Sequence, residues 1–273
     1  MLLVTVILNC ILMIALPVVL AVILTRRFGL GWGLVGWGAL TFIASQVVHI
    51  PILYGLDYVI KQAFPSFPKE WALPFNAVFL GLLAGLCEEI ARYVVYRRFV
   101  PTARTWKQAL VFGTGHGGIE AIIFGVIACL TVAQMVALRG TDLSTLGIPA
   151  EQVPLVQQQL DTFWASPWYA GLLGALERVF AICFHISASV LVLQTFTRKN
   201  IAWLWLAVLW HAIVDGAAVI AVGTVGIYWT EAIIGVGALI SLAIIFALRD
   251  RDSGLGGDSG AAAVAIGVAD STK

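Results

Sequence analysis

Residues 71–96, WALPFNAVFLGLLAGLCEEIARYVVY, decide how the chain is read. The run is long enough to cross a bilayer. Yet Cys87-Glu88-Glu89-Ile90-Ala91-Arg92 places two adjacent carboxylates and an arginine inside it. A charge at membrane depth costs at least about 2.5 kcal/mol unless it is paired or solvated. A chain that keeps three such groups there has a use for them, and the rest of the sequence delivers further polar groups to the same depth.

The composition agrees with a membrane setting. The 273 residues are 60% hydrophobic and only 11% charged. A soluble domain carries about twice that charged fraction. Net charge is +1, and no basic cluster with interleaved aromatics points to a nucleic-acid partner. Cys10, Cys87, Cys129 and Cys183 all lie in apolar runs without zinc-type spacing and read as small packing residues. Met1 to Leu24 lacks a basic leader region and a small-residue cleavage site, so it reads as a first span, not a signal peptide.

Apolar runs of span length fall at about 2–24, 32–55, 71–95, 108–138, 169–195, 201–222 and 228–248. The expected fold is therefore all-α: a polytopic transmembrane bundle of about seven helices. Ten basic residues follow spans one, three, five and seven: Arg26, Arg27, Arg97, Arg98, Arg104, Lys107, Arg198, Lys199, Arg249 and Arg251. Only Lys61, Lys69 and Arg139 follow the others. That bias puts the N-terminus outside and the C-terminus in the cytoplasm. Pro65, Pro68 and Pro74 mark an irregular connection before span three, and 150–163 reads as a short surface helix. Residues 1–250 form a single membrane domain, and the Gly/Ala/Ser-rich 251–273 reads as a disordered cytoplasmic tail.

Each later span carries polar groups at helical spacing. His116 and Glu120 are four apart and follow a cluster of glycines, which either admits a neighbouring backbone or breaks the helix. Glu177, Arg178 and His185 lie in span five, with Glu177 and Arg178 read as a supporting pair. His211 and Asp215 share a face of span six. His49 and Glu231 stand at the outer ends of their spans and read as interfacial, His49 without a partner at helical spacing. Counted inward from the flanking basic residue, Glu89 is 8 residues in, His116 is 9, His211 is 12 and His185 is 13. At about 1.5 Å per residue, four helices bring ligand-type side chains to one layer roughly 12–20 Å below the basic flank.

Three histidines with carboxylates suit a zinc site, which needs about three protein ligands and an open position for water. His116, His185 and His211 are the candidate ligands, with Asp215 and Glu120 as ligands or orienting groups. Glu88 and Glu89 supply the base. Neighbours on a helix point about 100° apart, so one of them works as base while the other pairs with Arg92 or orients the site. Arg92 is four residues from Glu88 and three from Glu89, so spacing leaves that choice open.

The ordered set Glu88-Glu89-x-x-Arg92, Phe112-x-x-x-His116, a later histidine and His211-x-x-x-Asp215 resembles the CAAX-protease and bacteriocin-processing (PrsW-like) superfamily. Residues 115–121, GHGGIEA, with Phe184-His185 resemble its YhfC branch of membrane peptidases. The resemblance runs from about residue 71 to 222. It implies a multi-pass protein of a bacterial plasma membrane that hydrolyses a membrane-embedded or lipid-anchored peptide substrate. Its core would be Glu88, Glu89, Arg92, His116, His211 and Asp215. Two departures stand out: CAAX proteases have one more residue before the arginine, and often Asn where this chain has Asp215. The competing classes are a proton-coupled carrier, since Glu, His and Asp also build proton relays, and a scaffold that keeps the pocket without catalysis.

Overall fold

A computed structural model describes residues 1–249; the expected tail at 251–273 lies outside the described residues. The described residues form eight α-helices: α1 (Leu2–Phe28), α2 (Gly33–Ala63), α3 (Lys69–Arg98), α4 (Trp106–Ala137), α5 (Val153–Ala165), α6 (Leu173–Thr197), α7 (Ala202–Thr224) and α8 (Ile227–Ala247). Single 3-10 turns, Leu143–Leu146 and Trp168–Leu172, flank α5. All but α5 are long, from the 21 residues of α8 to the 32 of α4. Six of these are long and apolar enough to cross a membrane. The seventh, α3, is 30 residues long but carries the buried Glu88, Glu89 and Arg92. The expected helical bundle is the observed one.

Local chemistry sets several helix ends. Gly29 closes α1 in the left-handed conformation at φ 64°. Thr105 and Gln108 form a reciprocal capping box at the start of α4. The irregular connection before α3 is shorter than the prolines implied. Pro74 lies inside α3, where its missing N–H removes the bond to the Glu70 carbonyl without ending the helix. The glycine-rich start of α4 does not break the helix either. Its glycines serve close approach instead.

The contact between α2 and α4 illustrates this. A Cβ on Gly38 would stand 2.0 Å from the Phe112 carbonyl oxygen, and one on Gly115 would stand 2.1 Å from that of Val35. Such backbone contact is available only to glycine. Gly38→Ala is therefore expected to push the two helices apart and destabilise the protein by about 1–3 kcal/mol. Thermal unfolding in detergent would measure this. Gly33→Ala, at a position with nothing within 4 Å, is the matched control.

Short connections alternate the helices between two ends. One end carries Arg27, the 99–105 loop, Arg198, Lys199 and Arg249; it is termed the basic end. The other carries Met1, the 64–68 loop and α5. The 3-10 turn before α6 is tied to the start of α1 by the Thr5 hydroxyl, which donates to the Trp168 carbonyl at 2.6 Å. The apolar core lies in the basic half. Tyr96, Phe112, Val190, Val192 and Ala207 are fully buried there, with Tyr96 and Phe112 rings 4.6 Å apart. Trp106 Nε1 donates to the Ile245 carbonyl at 2.8 Å and joins α4 to α8 at that end.

Candidate metal centre

Glu88 is where five helices meet. It projects from α3, buried at 5% exposure. Its Oε2 lies 3.0 Å from His116 Nε2 on α4, 3.6 Å from Arg92 Nη2, 3.9 Å from His185 Nδ1 on α6 and 4.0 Å from His211 Nε2 on α7. Its other oxygen accepts a hydrogen bond from Gln46 Nε2 on α2 at 3.1 Å. The layer expected from sequence depth therefore exists: the His116 and His185 rings are 5.1 Å apart, and those of His185 and His211 are 6.0 Å apart.

Glu89 takes the other role. It is fully buried. Its Oε1 accepts from both Arg92 Nη1 and His211 Nδ1, the latter at 2.7 Å. Arg92, also fully buried, spans the site: Nη1 pairs with Glu89, and Nη2 donates to His185 Nδ1 at 2.7 Å. Arg92 is thus the partner of Glu89 first and of Glu88 only at longer range.

The six candidate donors divide into two sets. Glu88, His116 and His185 each offer an atom within 4.8 Å of the others. His211 instead has Nδ1 against Glu89 and Nε2 at 3.3 Å from Asp215 Oδ2. A ring with both nitrogens facing carboxylate oxygens has no lone pair aimed at an ion. Of the expected ligands His116, His185, His211 and Asp215, the structure brings His116 and His185 together with Glu88. Glu88 joins two of the histidines, while His211 and Asp215 bridge back to Glu89.

The supporting group is continuous with this site. His185 Nε2 closely contacts Glu120 Oε2. Glu120 Oε1 accepts from Arg178 Nη1 at 2.7 Å, and Arg178 Nη2 pairs with Glu177. The Arg178 guanidinium stacks 4.8 Å over the Phe124 ring. Two residues differ from the sequence reading. His49 does have a partner at helical spacing: its Nδ1 is 3.2 Å from Gln46 Oε1, one turn earlier. Glu231 is buried at 8% exposure. Gln46 itself went unread, although an amide inside an apolar span is the kind of signal that marks such a residue.

A cavity of about 240 Å³ adjoins the centre, with Glu88, Glu120, His185, His211 and Asp215 on its wall. It has room for several waters at roughly 30 Å³ each. Glu89 and Arg92 do not reach it.

The residues fit a metal ion. Ligand atoms around a tetrahedral ion at about 2.0–2.2 Å stand roughly 3.4 Å apart, so the Glu88, His116 and His185 atoms lie near that spacing, and closing on an ion requires Arg92 Nη2 to release the His185 Nδ1 lone pair it now holds. The partners behind them are the usual kind: Gln46 holds the free oxygen of Glu88, and Glu120 holds the His185 ring. His116 Nδ1 is buried without a hydrogen-bond partner.

A family model described as "YhfC intramembrane metalloprotease" matches residues 12–235. The chain belongs to the YhfC family. One relative, from Bacillus subtilis (strain 168), is described as "Uncharacterized membrane protein YhfC". It is 30% identical over 215 residues, covering 75% of this chain and 79% of its own. No solved structure matches. The YhfC match contains every residue of the centre, from Gln46 to Asp215. With six apolar helices of spanning length, this YhfC-family chain is a multi-pass integral membrane protein.

Proposed function

We propose that the protein is an intramembrane metallopeptidase that hydrolyses a peptide bond in a membrane-embedded or lipid-anchored substrate. The observation that carries this reading is Glu88, which belongs to the Glu-His-His donor group and also lines the cavity. Glu88, His116 and His185 would hold a divalent ion of the zinc kind. When bound, that ion would supply a water of lowered pKa, about 7, and polarise the scissile carbonyl. Asp215, whose side chain is 38% exposed, is the carboxylate beside His211 that faces the cavity. It accepts the proton of the attacking water as the oxygen adds to the carbonyl carbon. The proton then passes to the leaving nitrogen as the C–N bond breaks. His211, held between Glu89 and Asp215, orients the Asp215 carboxylate. Glu89 and Arg92 position this machinery without touching substrate.

A second reading has its own observation. Arg92 Nη2 sits 2.7 Å from His185 Nδ1, so a fixed cation already stands beside the donor group. In that case Glu88 is itself the base that activates water, without metal; the resemblance to CAAX proteases implies a base at Glu88 or Glu89 with the histidines at a metal or oxyanion site. Placement in that superfamily belongs to this proposal too. So do the orientation with the basic end in the cytoplasm and the bacterial plasma membrane as location.

Metal content separates the two readings. Under the metal reading, His116→Ala and His185→Ala proteins are expected to purify with metal at background. His211→Ala should keep it, with affinity lowered by about 10–100-fold at most, since His211 orients but does not ligate. Elemental analysis of detergent-purified protein and competition with a chelating dye give these numbers. Metal absent from gently purified wild type supports the second reading. Membrane-protein fragments unchanged between wild type and Glu88→Gln would leave the carrier or scaffold classes in its place.

A further inference from the structure

We infer that the centre is reached from the α5 end of the bundle and not from the basic end. The occupant of that path is a polypeptide segment lying in the bilayer half on the α5 side, arriving through a lateral gap between α2 and α4.

Distance alone would favour the basic end. Glu88 is ten residues from Arg98 and nineteen from Lys69, about 15 Å against about 28 Å along α3. Packing reverses the choice. Below the centre, Arg92, Tyr96 and Phe112 are fully buried and Leu193 is 1% exposed. Tyr96 also meets the Phe196 ring at a tilt, with centroids 6.2 Å apart. No residue of this plug lines the cavity. The cavity instead runs toward the other end, along Phe180, Arg178 and Glu177 on α6 and Ile234 on α8, which lie one to three turns above His185 on that side.

The walls are closed unequally. Ala77, Gly81 and Gly85 of α3 press against the α7 backbone over several turns. Gly235 of α8 packs on Phe180 of α6. Arg178 ties α6 to Glu120 and Phe124 of α4. The glycine-mediated backbone contacts of α2 with α4, at Gly38 and Gly115, lie in the basic half. Beyond Ser45 no residue of α2 is buried, and beyond Gly125 no residue of α4 is buried. The gap between them is edged by Phe42, Gln46 and His49 on one side and Phe124 on the other, all on the cavity wall. Aromatic edges with an amide and an imidazole between them suit a chain leaving lipid, whose backbone groups need partners once its helix opens. Gln46 has both roles in reach, since it bonds Glu88 inward and His49 outward.

That the occupant is a peptide rests on the peptidase reading; the direction of access does not. The test therefore has two arms. In a full-length chain whose four cysteines are replaced, Ala181→Cys and Ala218→Cys each put one thiol on the cavity wall. Glu151→Cys marks the α5 end and Thr102→Cys the basic end. A small, charged, impermeant methanethiosulfonate is added to one face of sealed vesicles at a time. Ala181→Cys and Ala218→Cys are expected to react from the face that labels Glu151→Cys. Reaction only from the Thr102→Cys face overturns the inference, as does reaction from neither face. Should one cavity variant misfold, the other decides. In the second arm, cut sites of fragments that vanish with Glu88→Gln are mapped on their parent proteins. They are expected at the α5-side ends of transmembrane segments, and cuts at the opposite ends would overturn the path. If no such fragments exist, the peptidase reading fails while the labelling result stands.

Discussion

Cells carrying Glu88→Gln in place of the wild-type chain are expected to lose the protein's cleavage products, with the rate falling by roughly 10²–10⁴-fold. The fold should survive. Glutamine at 88 keeps an acceptor for Gln46 Nε2 and a polar group for His116 Nε2, the two shortest contacts of the native side chain. What is lost is the negative charge, and both readings of the centre need it. As a ligand, Glu88 supplies the only carboxylate of the donor group; as a base, it takes the proton of water. Mass spectrometry of membrane-protein fragments in matched strains gives the rate, and thermal unfolding of the purified variant gives the control. A variant that cleaves at the wild-type rate would sink the assignment of Glu88, whatever the metal content.

Removing Arg92 is expected to have the largest effect on stability. Its side chain is fully buried, and it pairs with the equally buried Glu89 while reaching His185. Breaking a buried pair from one side leaves an uncompensated charge and costs about 3–5 kcal/mol. Arg92→Met should therefore lower the unfolding midpoint in detergent severely, or prevent accumulation in the membrane. The double change Arg92→Met with Glu89→Leu should recover part of that loss, because no orphan carboxylate remains. Recovery stays partial, since His211 Nδ1 then loses its acceptor at 2.7 Å. Equal stability of Arg92→Met and wild type would show that water, not Glu89, carries the charge. The contrast with Glu88→Gln matters: Glu88 lines the cavity and belongs to the donor group, whereas Glu89 ties Arg92 to His211 of α7.

The two carboxylates also mark the boundary of what local sequence can say. An apolar run of span length with three charges near one end dictates a membrane helix with a polar purpose, because bilayer thickness and desolvation cost act on any such run alike. Helical spacing then ties His116 to Glu120 and His211 to Asp215, and the fixed rise per residue brings Glu89, His116, His185 and His211 to one depth. Those features depend only on the chain's own geometry, and the all-helical bundle followed from them.

Other features depend on neighbours far along the chain. Arg92 can reach Glu88 at i−4 or Glu89 at i−3. The tie was decided by His211 of α7, which shares Glu89, and by His116 of α4 and Gln46 of α2, which claim Glu88. His211 has the same spacing to a carboxylate as His116, yet one turns both nitrogens to acids while the other points at the donor group. The glycines of α4 allowed either a break or a close contact, and α2 lying against Gly115 chose the contact. Depth placed the centre nearer the basic end, but only the packing of Tyr96 and Phe112 beneath it determined on which side the cavity lies. Spacing along a helix fixes which side chains share a face. Which face meets which partner is settled by packing among helices, and no single helix contains that information.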